Sequence, residues 1–333
     1  MKIIQYLMLF YIITYGQSIE GTGATFPYPI YSVWGYDYYK TSGIKLNYSG
    51  VGSGGGVREI WNRRVDFGAS DAPLTASELE EKKLLQFPAT IGAVVPVINI
   101  PEIKKNSLKL SGEVIGKIFS GEITHWNAAD IIKLNPDVVL PSAKITLVYR
   151  ADKSGTTAIF TKYLAEAYSA FSRLVGVGKH VQWPEGIRAK GNSGVANYVK
   201  RTKYSIGYVN YNYALQNRLS SIYLENQEGE YVLPTIKSFA SAAEYADWNP
   251  KTHFYAWLVN APGKNSWPIA GASFILIAKE QHEQNTTVSR FFLHCFEYGA
   301  SIAKKRAYIP IPKTLVKKIK TYWAQHGIEG VIL

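Results

Sequence analysis

Three short segments of this 333-residue chain combine small residues with hydroxyl side chains. They read Gly23-Ala24-Thr25-Phe26, Gly52-Ser53-Gly54-Gly55-Gly56 and Asp152-Lys153-Ser154-Gly155-Thr156-Thr157. Each leads into a segment with helical spacing, so each offers unpaired backbone N–H groups at the start of a helix. Helix starts of this kind bind anions. Together the three segments predict a site for a buried tetraoxyanion.

Side-chain donors in and beside these segments strengthen the prediction. The candidate hydroxyl donors are Thr25, Ser53, Ser154 and Thr156. Arg150 precedes the third segment and can give two parallel, charge-assisted hydrogen bonds to an anion. Asp152 follows two residues later and can hold the guanidinium in place. Any one segment alone is also explained as an ordinary helix cap, so the prediction depends on their combination.

The elements that must position these residues alternate along the chain. Apolar residues at 30–38 have helical spacing that ends at Gly43, and residues 44–48 alternate as a strand. The run 90–100 is nearly all apolar, as in a strand covered on both faces. Alternating strands and helices predict an α/β fold with largely parallel sheets.

Composition limits the function classes. The net charge is +12, but the basic residues are scattered and lack the clustered runs of a nucleic-acid binder. We expect this charge to solvate the surface and to attract anions. Cys295 is the single cysteine, so no intramolecular disulfide can form. The six histidines are dispersed outside the three segments, and we expect neither a metal nor a cofactor.

The amino terminus has the pattern of an export signal. Lys2 precedes an apolar run over residues 3–15, which Gly16-Gln17-Ser18 follows. The run is short for a membrane span, so residues 1–18 are predicted to be a signal peptide cleaved near Ser18. No cysteine stands directly after the run, so we do not expect a lipid anchor. The predicted location is the periplasm.

Longer segments resemble the periplasmic phosphate-binding proteins of bacterial high-affinity phosphate ABC transporters, the PstS family. The segments are GTGATFP at 21–27, NYSGVGSGGG at 47–56, VDFGASDAPL at 65–74, RADKSGTT at 150–157, GNSGV at 191–195, IGYV at 206–209, SWPI at 266–269, FILI at 274–277 and YIPIP at 308–312. The resemblance covers essentially the whole mature chain. It implies a two-lobed periplasmic-binding-protein fold (type II-like), in which each lobe is a mixed, mainly parallel sheet flanked by helices. Lobe I would comprise residues 19–91 plus 267–333, and lobe II residues 92–266, with the ligand in the cleft between them.

The resemblance also implies the ligand contacts. They are Thr25, Phe26 through its backbone, Ser53, Asp71, Arg150, Ser154, Gly155 and Thr156, with Asp152 orienting Arg150. Ionised Asp71 would accept a hydrogen bond from the P–OH of phosphate. Fully ionised sulfate has no such proton, so it would leave this carboxylate unpaired against a like charge. A site that depends on such a buried polar match can discriminate by ~10⁴–10⁵.

The function implied by the resemblance is binding of phosphate, closure of the lobes and delivery to the permease subunits of an ABC transporter. We expect a monomer without catalytic activity and without a nucleic-acid partner.

The residues leave two enzymatic alternatives. Gly50-x-Gly52-x-x-Gly55 with Asp71 has the spacing of a dinucleotide-binding fingerprint, although the export signal and the other two segments speak against it. The second alternative is a phosphatase. Against it, the sequence contains neither a Gly-x-Ser-x-Gly nucleophile elbow nor a His/Asp/Glu cluster with the spacing of metal ligands.

Overall fold

The computed structural model describes residues 17–328 as an α/β protein. Most of the predicted signal peptide (residues 1–18) lies outside this range, and the cleavage near Ser18 stays a prediction. The described strands are β1 (Ser18–Gly23), β2 (Lys45–Gly50), β3 (Phe67–Ser70), β4 (Leu84–Asn99), β5 (Lys109–Leu110), β6 (Thr146–Arg150), β7 (Ile187–Ala189), β8 (Ser205–Asn210), β9 (Ser220–Ser221), β10 (Tyr223–Glu225), β11 (Tyr231–Val232) and β12 (Ala270–Ala278). The described helices are α1 (Tyr28–Ser42), α2 (Ser53–Trp61), α3 (Ala76–Glu81), α4 (Gly112–Ser120), α5 (Ala129–Leu134), α6 (Gly155–Ala167), α7 (Phe171–Leu174), α8 (Gly191–Arg201), α9 (Tyr211–Gln216), α10 (Ile236–Ala243), α11 (His282–Tyr298), α12 (Ala300–Lys305) and α13 (Lys313–Gln325), and a 3-10 turn lies at Pro250–Thr252.

One mixed sheet organises the described chain. Its strands follow the order β2-β1-β3-β12-β4-β8-β6-β7, and β9 pairs with β4. β1 is parallel to β2 and β3, and β6 is parallel to β7 and β8. The central pairs of β12 with β3 and β4, and of β4 with β8, are antiparallel. The predicted α/β class with a mixed sheet is confirmed. A smaller sheet joins β11, β10 and β5.

Strand β4 changes its partner halfway along. It pairs with β12 from Leu84 to Ala93 and with β8 from Val94 to Asn99. We call β1, β2, β3, β12 and residues 84–93 the first half of the sheet. The second half comprises β6, β7, β8, β9 and residues 94–99.

The burial of β4 explains the apolar run in the sequence. All of its residues except Asn99 are buried. The strand begins at Leu84, before the apolar run, and it includes the buried polar residue Gln86. Gln86 Oε1 accepts from the N–H of Leu74 at 2.8 Å, and its Nε2 donates to the carbonyl of His253 at 3.0 Å. A polar residue satisfied in this way conceals a buried strand from sequence patterns.

The carboxyl ends of the parallel strands lie next to the predicted anion segments. β1 leads into Thr25 and α1, β2 into α2, β3 into Asp71, and β6 ends at Arg150 before α6. α1 ends at Ser42, as the sequence predicts, and Gly43 caps it in the left-handed conformation. Ligands of α/β proteins bind at this edge of a sheet. Within residues 17–328, no helix combines the length and apolarity needed to cross a bilayer.

Candidate functional site

The structure brings the predicted ligand residues together where the two halves of the sheet meet. Ser53 begins α2, which follows strand β2 of the first half. Its Oγ accepts hydrogen bonds from the N–H groups of Asp71 and Gly155, both at 3.1 Å. Gly155 begins α6, which follows strand β6 of the second half. One serine oxygen therefore joins the loop after β3 to the start of α6.

Hydrogen bonding gives the hydroxyls of this site a common polarity. Thr25 Oγ1 accepts from the backbone and side-chain nitrogens of Asn192 at 3.2 and 2.9 Å. Thr156 Oγ1 accepts from an Arg150 terminal nitrogen at 3.4 Å and from Asn192 Nδ2 at 3.3 Å. Ser154 Oγ caps α6 by accepting from the Thr157 N–H at 3.1 Å. Because N–H donors occupy these oxygens, the hydroxyl protons remain to be donated. Thr25 and Thr156, whose two acceptor sites are both filled, are restricted to donation, which suits an anion.

Arg150 is 3% exposed and is held by Asp152. Its Nε donates to Asp152 Oδ1 at 2.8 Å, and a terminal nitrogen donates to Oδ2. Asp152 Oδ1 also accepts from the Gly191 N–H at 3.0 Å. Burial opposes ionisation of Asp152, but the hydrogen bonds and charge of Arg150 outweigh it and lower the pKa of the carboxyl. The pair is thus charged, and the outer guanidinium edge keeps N–H groups for a ligand.

Asp71 places an acceptor among these donors. It is 2% exposed, and its Oδ1 has no hydrogen-bond partner among the described residues. Burial raises the pKa of Asp71 to about 7, against the opposing effects of the Ser273 hydroxyl and of the charges on Arg150 and Lys179. A buried carboxylate oxygen without a partner is costly. Its natural complement is a ligand that carries a proton.

Two tyrosines fix the backbone at the first segment. Tyr213 donates its hydroxyl to the carbonyl of Thr25 at 2.7 Å, and Tyr308 donates to the carbonyl of Phe26 at 2.6 Å. Both hydroxyls therefore bind carbonyl oxygens, which would repel an anion. Sequence reasoning missed both tyrosines. The segment YIPIP, which contains Tyr308, was the available signal.

Asn192 is the other residue that sequence reasoning missed. It is fully buried at the start of α8, within the GNSGV segment quoted for the resemblance. Its contact with Thr25 crosses the boundary between the halves, whereas its contact with Thr156 lies within the second half. A polar residue between glycines at a helix start was the only local signal.

The glycines of the site allow the two halves to touch. Gly54 donates its N–H to the carbonyl of Lys153 at 3.0 Å. Gly52 has φ +93°, and a Cβ there would lie 2.4 Å from Asp152 Oδ2. A Cβ on Gly155 would lie 2.8 Å from the backbone nitrogen of Asp71. Side chains at these positions would therefore separate the segments.

Other reactive groups lie outside this arrangement. Among residues 17–328, no group of three or more His, Cys, Asp or Glu side chains is arranged to hold a metal ion. Cys295 is buried, and burial raises the pKa of its thiol. Its thiol is therefore protonated and unreactive at neutral pH.

This fold and donor-lined site define the class of the periplasmic-binding-protein-like solute-binding proteins. A family model described as the PBP superfamily domain matches residues 14–293. A solved high-affinity periplasmic phosphate-binding protein (PfluDING), bound with phosphate, has a TM-score of 0.73 at 22% identity, over 92% of this chain and 93% of that chain. A putative phosphate ABC transporter substrate-binding protein from Clostridium perfringens with bound phosphate has a TM-score of 0.65 at 16% identity, over 89% and 100%. At these identities the likeness shows the fold.

Curated relatives define the family more narrowly. The phosphate-binding protein PstS of Haemophilus influenzae is 46% identical over 323 residues, which cover 94% of this chain and 97% of the relative. The protein of the same name from Methanocaldococcus jannaschii is 39% identical over 278 residues, covering 78% and 72%. The chain belongs to the PstS family of phosphate-binding proteins. Members of this family are solute-binding proteins and not enzymes, so the dinucleotide-dependent and phosphatase alternatives lose their support.

Proposed function

We propose that this protein binds inorganic phosphate in the periplasm and delivers it, as a monomer, to the permease subunits of an ABC transporter. One observation carries the proposal: the site that holds two donor-only hydroxyls and a buried arginine also holds a buried carboxylate oxygen, Asp71 Oδ1, that has no hydrogen-bond partner among the described residues. The donors suit any tetraoxyanion, whereas the acceptor suits one that retains a proton. The names of the relatives support the same ligand.

The proposed ligand groups are the hydroxyls of Thr25, Ser53, Ser154 and Thr156, the backbone N–H groups of Phe26 and Gly155, the Arg150 guanidinium and the Asp71 carboxylate. The Gly155 N–H, which donates to Ser53 Oγ at 3.1 Å, would share its proton between Ser53 and the ion. Asp152 orients Arg150 through both carboxylate oxygens. Proton donation by phosphate to Asp71 offsets the cost of placing a carboxylate beside an anion. Sulfate, which has no proton near neutral pH, would leave two acceptors in contact.

Binding in this proposal closes two lobes over the ion. We assign residues 19–91 plus 267–333 to lobe I and residues 92–266 to lobe II. The partner exchange of β4 at residues 93 and 94 supports a connection through sheet strands. The contacts of Ser53 with Gly155 and of Gly54 with Lys153 then belong to the closed arrangement. Residues 1–18 would direct export and be removed.

Equilibrium dialysis with radiolabelled phosphate, with sulfate as competitor, tests the role of Asp71. We expect Asp71→Asn to weaken phosphate binding and to increase competition by sulfate, because an amide can donate to a fully ionised anion. Asp66→Asn is the matched control, since Asp66 is a half-buried carboxylate that accepts from the Glu20 N–H at 2.7 Å outside the site. Unchanged selectivity in Asp71→Asn would remove the basis for choosing phosphate over sulfate.

A further inference from the structure

Asn192 is fully buried between residues that belong to different halves of the sheet. Its Oδ1 accepts from the N–H of Asn210 at 2.8 Å, so the orientation of the amide is fixed. The Nδ2 group must then face Thr25 Oγ1 at 2.9 Å and Thr156 Oγ1 at 3.3 Å. Its backbone N–H adds a second bond to Thr25 at 3.2 Å.

These bonds determine the direction in which two hydroxyls can donate. A threonine hydroxyl has two acceptor sites and one proton. Asn192 fills both acceptor sites of Thr25, and with Arg150 it fills those of Thr156. Neither hydroxyl can then use its oxygen to accept from a ligand. Each presents only its proton, which is the polarity that an anion requires.

We infer that Asn192 is a positioning residue that makes Thr25 and Thr156 obligatory donors to the anion and joins the two lobes around it. The inference rests on the proposed function. Asn192 need not touch the ligand, because it acts through the two hydroxyls. Its contact with Thr25 spans 167 residues of chain and crosses the cleft, so we expect it to form on closure.

Two substitutions separate polarity from packing. Asn192→Asp keeps the size of the side chain and the acceptor for the Asn210 N–H, but it removes both Nδ2 donors. The hydroxyls of Thr25 and Thr156 can then donate to the new carboxylate in place of the anion. Asn192→Ala removes the amide without adding an acceptor. We expect phosphate affinity to fall on the order of tenfold or more in Asn192→Ala, and further in Asn192→Asp.

The experiment is calorimetry and stopped-flow fluorescence with inorganic phosphate on the wild-type full chain and both variants. Asn226→Ala is the matched control, because Asn226 is a buried asparagine whose Nδ2 donates to the carbonyls of Gly263, Lys264 and Ser266 and contacts no proposed ligand residue. A lost closing contact should appear mainly as faster dissociation, whereas the ligand-free melting temperature reports any purely structural role. Asn226→Ala should lower that temperature and leave phosphate dissociation unchanged.

The outcomes are distinct. Faster dissociation in both variants, with Asn192→Asp the weaker binder, supports the inference. Wild-type affinity in Asn192→Asp would overturn it, and this variant decides if Asn192→Ala does not fold. Equal loss of affinity in Asn192→Ala and Asn226→Ala would also overturn it, because both effects would then be structural. Failure of the wild-type chain to bind phosphate would refute the proposed function itself.

Discussion

Gly155→Ala tests whether the two halves of the sheet must approach closely for the anion to bind. A Cβ at residue 155 would lie 2.3 Å from Ser53 Oγ, 2.7 Å from Asp71 Cβ and 2.8 Å from Asp71 N. Ser53 could rotate away, but the backbone nitrogen of Asp71 cannot move without its loop. The added methyl group therefore opposes the contact between α6 and the loop after β3.

The magnitude follows from two terms. Overpacking by one carbon costs about 1–3 kcal/mol, and the lost hydrogen bond from the Gly155 N–H to Ser53 costs about 1 kcal/mol. A total of about 2–4 kcal/mol corresponds to phosphate binding weakened roughly 30- to 700-fold. Alanine is favoured over glycine within a helix by roughly 0.5–1 kcal/mol, so α6 itself is not destabilised.

Calorimetric titration with phosphate measures the effect. Gly194→Ala is the control, since a Cβ on Gly194 in α8 would have its nearest neighbours at 3.4–3.8 Å, an ordinary contact. We expect Gly194→Ala to bind like wild type and Gly155→Ala to bind far more weakly, with both retaining the wild-type melting temperature without ligand. Binding by Gly155→Ala within threefold of wild type would refute the close approach of the halves.

Three further predictions concern the charged residues of the site. Arg150→Ala should weaken the binding of phosphate and of any residual sulfate together, by ~10²-fold or more in calorimetry, because it removes charge-assisted donors and leaves Asp152 unpaired; loss of phosphate binding alone would contradict this. Asp152→Asn should weaken phosphate binding less than Arg150→Ala, because the guanidinium remains but is less firmly held, and wild-type affinity would contradict its orienting role. Burial raises the pKa of Asp71 to about 7, so the folded state holds this proton more tightly than the unfolded chain. Between about pH 4 and pH 7 the free energy of unfolding of the ligand-free protein should therefore fall with pH, relative to Asp71→Asn, by up to a few kcal/mol in urea titrations; parallel pH profiles would contradict it.

The sequence could predict the features of this site that are local in the chain. The helix starts at Ser53 and Gly155 lie where small and hydroxyl residues precede helical spacing. Arg150 and Asp152 form their predicted pair across the one residue that separates them at the end of β6. These features depend on residues that are close in the chain, so residue type and spacing are enough to predict them.

The remaining features depend on contacts between distant residues. Asn192 reaches Thr25 across 167 residues, and Tyr308 reaches Phe26 across 282 residues. No periodicity reports such pairs. Only the family resemblance predicts that Asp71 contacts the ligand. A carboxylate beside an anion contradicts simple electrostatics until the proton of the ligand is counted. Its burial, which gives it that role, arises from the tertiary fold.

The central claim is that the acceptor Asp71, set among donors, selects a protonated tetraoxyanion. Calorimetry at neutral pH on protein stripped of bound ion, with phosphate and sulfate titrated separately, tests it most directly. We predict saturable binding of one phosphate per chain and sulfate binding weaker by ~10⁴-fold or more. Comparable affinities for the two ions, or no heat of binding with phosphate, would contradict the account.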